Sequence, residues 1–276
     1  MDSPEIFDRV TRRLRRDRAA RRYCEHDFLR ALMLEGIYDR LASVKREFSE
    51  VLDLGSFDGA FTPPPGATIT RIDAGATFAA AVNGIQADED HLPVEPHRFD
   101  LIISAGVLDS VGDVPGALTQ IRRALRPDGL FLGAFIGGMS LSTARAAFLA
   151  AEAERPAARF HPMIDVRSAG DLLVRAGFAL PVADSETVRV RYADLFGLIG
   201  DLRGMAASNV LNGRVPLSRR ALSAAASAFS ERADADGRTA ERFDLIFLTG
   251  WAPSPNQPQP ARRGSATTSL ASALRG

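Results

Sequence analysis

The rhythm of apolar and polar positions changes near residue 47. Before it, Phe28, Leu32, Leu41 and Val44 recur at helical spacing, with Met33 and Ile37 beside them. Side chains three and four apart share one face of a helix, so residues 1–46 predict one or two helices. Beyond that point, short apolar runs at Val51–Leu54, Thr68–Ile72, Leu101–Ser104 and Leu130–Ile136 are each bounded by Gly, Pro, Asp or Asn, a pattern of strands. Gly84–Ala87 is a weaker fifth run. The spacing predicts a helix over Val114–Leu125, opened by Gly112-Asp113 and stopped by Arg126-Pro127-Asp128-Gly129. Proline cannot continue a helix, and Asp-Gly favours a turn. Strands alternating with helices imply βαβ units and a mostly parallel sheet covered on both faces. The second half predicts helices at 140–154, 166–176, 193–207 and 217–232, with strands at Thr187–Tyr192 and Phe243–Trp251. From Ala252 the chain carries Pro253, Pro255, Pro258 and Pro260, then Gly, Ser and Thr, the composition of an extended or mobile tail.

Composition narrows the class without naming a chemistry. At 276 residues with 46% hydrophobic and 25% charged residues, the chain has the mix of an ordinary globular protein able to bury a full core. No apolar run reaches the roughly 18 residues that cross a bilayer, and the N-terminus lacks the apolar core of a secretory signal. Cys24 is the single cysteine, which excludes an internal disulfide and fits a reducing compartment. Lys plus Arg and Asp plus Glu both number 34, and this balance argues against dedicated nucleic-acid binding. One basic cluster stands out, Arg9, Arg12, Arg13, Arg15, Arg16, Arg18, Arg21 and Arg22, interrupted by Asp8 and Asp17. The expectation for it is a solvated helix face rather than a binding or targeting element.

In open α/β sheets, ligands sit beyond the carboxyl ends of the strands. The first strand runs into Asp53-Leu54-Gly55-Ser56-Phe57-Asp58-Gly59, where glycines let backbone approach a ligand closely. The second ends in Asp73, an acid suited to accept both hydroxyl hydrogens of a ribose. Ala87-Asp88 precedes His91-Leu92-Pro93, and Phe99–Ser104 forms the fourth strand.

This order of motifs (LDLGxxxG, an acidic end of strand two, AD before LP, FDLIIS, ALxxIRRALRPDGLF) resembles class I S-adenosylmethionine-dependent methyltransferases. It is similar to two branches, the malonyl-carrier-protein methyltransferases of biotin synthesis and the methyltransferase-like assembly factors of respiratory complex I. The second likeness covers nearly the whole chain: FDR near the start, GAFIGG before a helix, DLLVRAGF at 171–178, the segment Tyr192–Asn209 and RRGSATTSL at 262–270. The resemblance implies a Rossmann-like, seven-stranded, mostly parallel sheet with its last strand antiparallel and a helical lid. It implies S-adenosylmethionine contacts at Asp53, Gly55 and Gly59, ribose contact at Asp73, adenine contact near Asp88, and Ser104 and Ala105 lining the methionine end. The residues alone leave plainer alternatives: Asp53 as an organiser of the turn, Asp73 and Asp88 as solvated loop acids.

Three departures qualify the cofactor assignment. The family motif has three glycines spaced two apart, and Phe57 replaces the middle one. Its ring either fills the pocket or turns outward; the expectation is outward, because Gly55, Gly59 and the downstream acid remain. Phe61-Thr62-Pro63-Pro64-Pro65-Gly66 cannot form the helix that normally follows, since proline lacks the donor and clashes with the preceding turn. Asp109 and Ser110 occupy the place of an aromatic pair. Binding of the cofactor is therefore expected to be weakened or lost.

Other chemistry has little support. His26, His91, His97 and His161 are scattered without metal-ligand spacing, so no metal site is expected. Gly137-Gly138-Met139-Ser140 reads as a tight turn, without the lysine of a P-loop, and no Gly-x-Ser-x-Gly elbow is present. The division expected is a helical segment at 1–46, a methyltransferase-like domain at 47–251 with lid insertions at about 140–176 and 193–232, and a tail at 252–276. The leading function is a methyltransferase-like protein acting on a carrier-bound or protein substrate, a respiratory-complex subunit among the candidates. The alternatives are a non-catalytic assembly or chaperone-like protein and a protein-arginine hydroxylase of the assembly-factor type, for which no iron-ligand triad is legible. The catalytic residues are not legible either. Localisation is expected to be cytoplasmic, or the mitochondrial matrix in a eukaryote.

Overall fold

A seven-stranded sheet in the order β3-β2-β1-β4-β5-β7-β6 organises the chain, and the computed structural model describes residues 5–257. Its strands are β1 (Glu50–Leu54), β2 (Thr68–Asp73), β3 (Ile85–Gln86), β4 (Phe99–Ala105), β5 (Leu125–Gly137), β6 (Ala179–Tyr192) and β7 (Thr239–Trp251). The pairs from β3 across to β5 are parallel, whereas β7 runs antiparallel to both β5 and β6. The fold is thus the Rossmann-like α/β sheet with its last strand antiparallel. All seven residues of central β4 are buried, as a strand covered on both faces requires. The weak run at 84–87 yields only two strand residues, on the outer edge.

The helices are α1 (Arg9–Ala19), α2 (Phe28–Ala42), α3 (Ala76–Ala81), α4 (Val114–Ala124), α5 (Ser142–Ala151), α6 (Val166–Arg175), α7 (Leu195–Gly204) and α8 (Arg219–Ser230). Several begin at a side chain that accepts an otherwise orphaned amide: Asp113 for α4, Asp165 for α6, Asp194 for α7 and Ser218 for α8. One face of the sheet packs against α2, α5, α7 and α8. The other packs against α4 and α6, through Leu118, Ile121, Ala169 and Leu173. Here α6 departs from the expected lid: its apolar stripe lies on the sheet with α4, so only α5 among the helices of 140–176 belongs to the lid side.

The link between β1 and β2 contains no helix, in keeping with Pro63–Pro65. Buried Phe61 instead stacks on Tyr38 of α2, centroids 5.4 Å apart at 12°, and the Thr62 amide donates to the Tyr38 hydroxyl at 2.7 Å. At the other end, Ala252 exchanges backbone hydrogen bonds with Gly129 and Asp128 at 2.8 and 3.0 Å. The first residues of the expected tail are therefore tied to the sheet, and 258–276 lie outside the described residues. No helix among the described residues is long and apolar enough to cross a membrane.

Candidate functional site

The carboxyl ends of β1, β2 and β4 converge where the family resemblance expects a cofactor, and the site is built from their last residues. Asp53 on β1 is fully buried, and neither carboxylate oxygen has a hydrogen-bond partner. Its nearest cations are Arg30 at 3.8 Å and Arg71 at 4.0 Å. Burial lifts the carboxyl from 3.8 to about 6, against the pull of those two arginines, because a desolvated charge is disfavoured. Gly55 follows at φ +76°, and a Cβ there would stand 2.4 Å from Val107. Glycine is required at this point both for its backbone and for its contact with the segment after β4.

Phe57 corrects the sequence-based expectation. Its ring is 2% exposed rather than turned to solvent. The backbone keeps the glycine-like conformation, φ +48°, a left-handed value that a bulky residue rarely adopts. The ring is held by stacking on Tyr23 at 4.8 Å and 18° and by an edge contact with Phe78 at 5.3 Å. The Arg16 guanidinium sits over it, 4.0 Å from the centroid, a favourable placement for a cation on a π face. Beyond the ring lies Gly106, just past β4, where an added Cβ would be 3.8 Å from Cε2 of Phe57. A ring facing Tyr23, Phe78 and Arg16 at once gains more from burial than it loses to backbone strain.

Asp73, at the end of β2, is fully buried and fully used. Arg16 donates to it twice, Nε to Oδ1 at 2.9 Å and Nη2 to Oδ2 at 2.5 Å. The Phe57 amide donates to Oδ2 at 2.9 Å and the Gly75 amide to Oδ1 at 2.7 Å. A carboxylate offers about four acceptor sites, and all four donors present belong to the chain itself. Asp88 takes Arg13 at 2.5 Å, Glu89 takes Arg12 at 2.7 and 2.8 Å, and Asp90 takes Arg9 at 2.6 Å. Half of the arginine cluster is therefore not a solvated face: Arg9, Arg12, Arg13 and Arg16 occupy i, i+3, i+4 and i+7 of α1, one side of a helix, and that side closes on the acids at the ends of β2 and β3, while Arg18, Arg21 and Arg22 are exposed as expected.

What remains open near Phe57 is a cavity of about 30 Å³ lined by Arg16, Tyr23, Arg30, Gly106 and Asp109 among others, room for a water. Ligand sites are ordinarily some 300–1,000 Å³. Ser104 and Ala105 end β4, both fully buried, and Oγ of Ser104 and of Ser56 lack partners. The structure thus gathers Asp53, Gly55, Gly59, Asp73, Ser104 and Ala105 around one loop, with Asp88 farther out under Arg13. In this arrangement the residues do not fit S-adenosylmethionine: the ring of Phe57 and the guanidinium of Arg16 take the volume and the acceptors.

A much larger cavity, about 720 Å³, opens under α5, α7 and α8. Asp109 lines both it and the small one, and burial raises its carboxyl to about 6. His161, on the wall of the large cavity, is held down to about 4 by burial and by Arg12 and Arg15. Its Nε2 accepts from the Val210 amide at 3.0 Å, the bond of a neutral, structural imidazole. The turn at Gly137–Ser140 is closed from within, the Met139 amide donating to Asp244 at 2.8 Å and Ser140 Oγ to Gly137 O at 2.5 Å. Among the described residues no group of three His, Cys, Asp or Glu is arranged to hold a metal.

Comparison with known proteins agrees with this geometry in fold. Residues 18–181 match the family described as methyltransferase domain. A zebrafish (Danio rerio) protein named arginine-hydroxylase NDUFAF5, mitochondrial, is 32% identical, the alignment covering 96% of this chain and 88% of the relative. A malonyl-[acyl-carrier protein] O-methyltransferase of Laribacter hongkongensis is 28% identical over 86% of this chain and 87% of its own length. Among solved structures, the YcgJ protein of Bacillus subtilis superposes with a TM-score of 0.56 at 13% identity, covering 81% of this chain and 99% of that one.

Proposed function

Because the chain belongs to the class I S-adenosylmethionine-dependent methyltransferase family, yet fills its own cofactor cradle, we propose that it acts as a non-catalytic assembly or chaperone-type protein. It keeps the methyltransferase fold as a rigid platform and binds a protein partner without transferring a methyl group. The observation that carries this reading is the saturated carboxylate of Asp73, closed by Arg16 and by the Phe57 and Gly75 amides. A ribose must displace Arg16 to reach it, and the rest of the cofactor must displace the ring of Phe57. Removing one partner of a buried ion pair costs about 3–5 kcal/mol, and emptying the volume of a buried phenyl costs about as much. A ligand with an intrinsic dissociation constant of 1 μM brings about −8 kcal/mol. The opposing terms are of equal size, so little net affinity remains.

Titration calorimetry with S-adenosylmethionine tests this directly. The expected result is no saturable heat below a cofactor concentration of about 1 mM. A dissociation constant near or below about 1 μM overturns the reading.

A second reading rests on Asp53, Ser56 and Ser104, whose buried oxygens lack partners; unsatisfied buried polar atoms are the kind that a ligand with donors completes. In it, withdrawal of α1 frees the acids of β2 and β3 for the cofactor, and the chain methylates a carrier-bound or protein substrate. Methyl transfer from a sulfonium needs alignment more than acid–base help, so the absence of a dedicated base among Asp109 and its neighbours does not oppose it. Hydroxylation of arginine, the activity in the name of the NDUFAF5 relatives, has less support: the described residues bring no three metal-ligating side chains together. On either reading the compartment proposed is the cytoplasm, or the mitochondrial matrix if the source is eukaryotic.

A further inference from the structure

The large cavity and its mouth differ in character. Its walls are apolar, including Ile136, Leu141, Phe148, Phe160, Ile199 and Leu222. Its ionised lining is one-sided: Arg15, Arg159, Arg203 and Arg214 against the single acid Asp109. Two of these arginines are already answered, Arg159 by Glu152 at 2.5 Å and Arg214 by Asp8 at 3.0 Å. Arg15 and Arg203 have no carboxylate partner among the described residues. They also crowd each other: burial and the charges of Arg214, Arg18 and Arg203 pull the guanidinium of Arg15 down from its ordinary value, against a smaller opposing pull from Asp8. An uncompensated cationic rim above an apolar, roomy interior is half of an interaction, and the missing half is an anion carrying an apolar body.

We infer that this cavity binds an amphipathic anion, a medium-length apolar chain ending in a carboxylate or a phosphate. The chain lies between Phe148, Phe160 and Leu222, and the head sits at Arg15 and Arg203. Apolar burial supplies the affinity, and the guanidinium pair supplies the choice of head group, as arginine forks do for carboxylate and phosphate. Neutral amphiphiles gain only the first contribution, and cationic ones meet repulsion at the rim. The inference does not rest on the state of the cofactor cradle: Asp109 borders both cavities, but neither Phe57 nor Asp73 lines this one.

The test uses three probes with one tail, decanoate, decanol and decylammonium, titrated into the full chain by calorimetry below their micellar range. Decanoate is expected to bind about tenfold tighter than decanol, with decylammonium weakest. Arg15→Gln combined with Arg203→Gln is expected to erase the preference for decanoate while leaving decanol binding unchanged. Gly200→Phe fills the cavity from α7, where a Cβ meets nothing within 4 Å; it is expected to weaken both ligands and to leave the melting temperature at or above the parent value. Decylammonium binding as tightly as decanoate overturns the inference, as does a preference that survives the double substitution. So does the absence of binding by all three probes to a parent that melts normally. Titration of the same samples with S-adenosylmethionine reports on the cradle separately, so that either reading can fail alone.

Discussion

The two halves of the sheet's carboxyl edge solve opposite problems with the same residue types. Over β1 and β2, arginines from α1 meet carboxylates one for one, an aromatic ring fills the middle, and about 30 Å³ is left. Under α5, α7 and α8, two of four arginines meet a carboxylate and two do not, aromatic rings line the walls, and about 720 Å³ is left. The half whose first two strands are joined without a helix is packed as a core; the half under α5, α7 and α8 holds a pocket. Arginine on this edge is therefore neither a binding residue nor a surface residue by type. Whether a carboxylate stands opposite decides which it becomes.

The comparison breaks most severely at Arg16, which is 3% exposed on its side chain. Arg16→Met strands Asp73 as a buried, half-paired charge and is expected to cost about 3–5 kcal/mol in urea unfolding. Adding Asp73→Asn should recover a large part of that loss, since it removes the stranded charge. A single substitution within about 0.5 kcal/mol of the parent would show that the ion pair closes nothing.

Next in size is Phe57→Gly. Loss of the buried ring costs about 3–5 kcal/mol, offset by about 1 kcal/mol from relief of a left-handed backbone, so a net loss of about 2–4 kcal/mol is expected in thermal or urea unfolding. The same variant is expected to bind S-adenosylmethionine more tightly than the parent, most clearly when Arg16 is also replaced. A parent that binds the cofactor as well as the variant does would make the two halves of the edge alike after all.

The smallest effect concerns Asp53, whose carboxyl is raised by burial to about 6 in the fold from 3.8. The native state then holds this proton more tightly than the unfolded chain does, and stability falls as pH rises through the interval between these values. Asp109, raised in the same way, adds to the slope. Asp53→Asn is expected to stabilise the protein near neutral pH by about 1–2 kcal/mol and to flatten the dependence of Tm on pH between about 4 and 6. An unchanged slope would mean that Asp53 is solvated or paired in solution.

Much of the sheet was legible because its strands are continuous apolar runs between turn residues, as in Phe99–Ala105, and because Arg126-Pro127 stops α4 where proline must. The cluster of Asp53, Gly55 and Asp73 was legible from the glycine-containing turn after the first strand, the acid that ends the second, and the family resemblance. The filling of that cluster was not. Phe57 looked free to turn outward because the residues that hold its ring, Arg16 and Tyr23, lie far upstream on another element. The partners of the arginine cluster are 57 to 81 residues away, beyond the reach of local pattern. One signal was available: arginines at i, i+3, i+4 and i+7 on one helix face, and an acidic run Asp88-Glu89-Asp90 to match them. The placement of α6 was missed for a related reason, since an amphipathic helix carries no mark of which face of a sheet it will cover.

The arginine face of α1 also bears on how the chain reaches this state. Eleven residues make a marginal helix in isolation, and the pairs Arg9–Arg13 and Arg12–Arg16 place like charges four apart, which destabilises a free helix further. Their counter-charges at Asp73 and at 88–90 do not yet exist when this segment is synthesised. The buried ion pairs of the first helix can therefore form only after the third strand has been made, and until then its local support is the Asp8 cap and the Glu5–Arg9 pair.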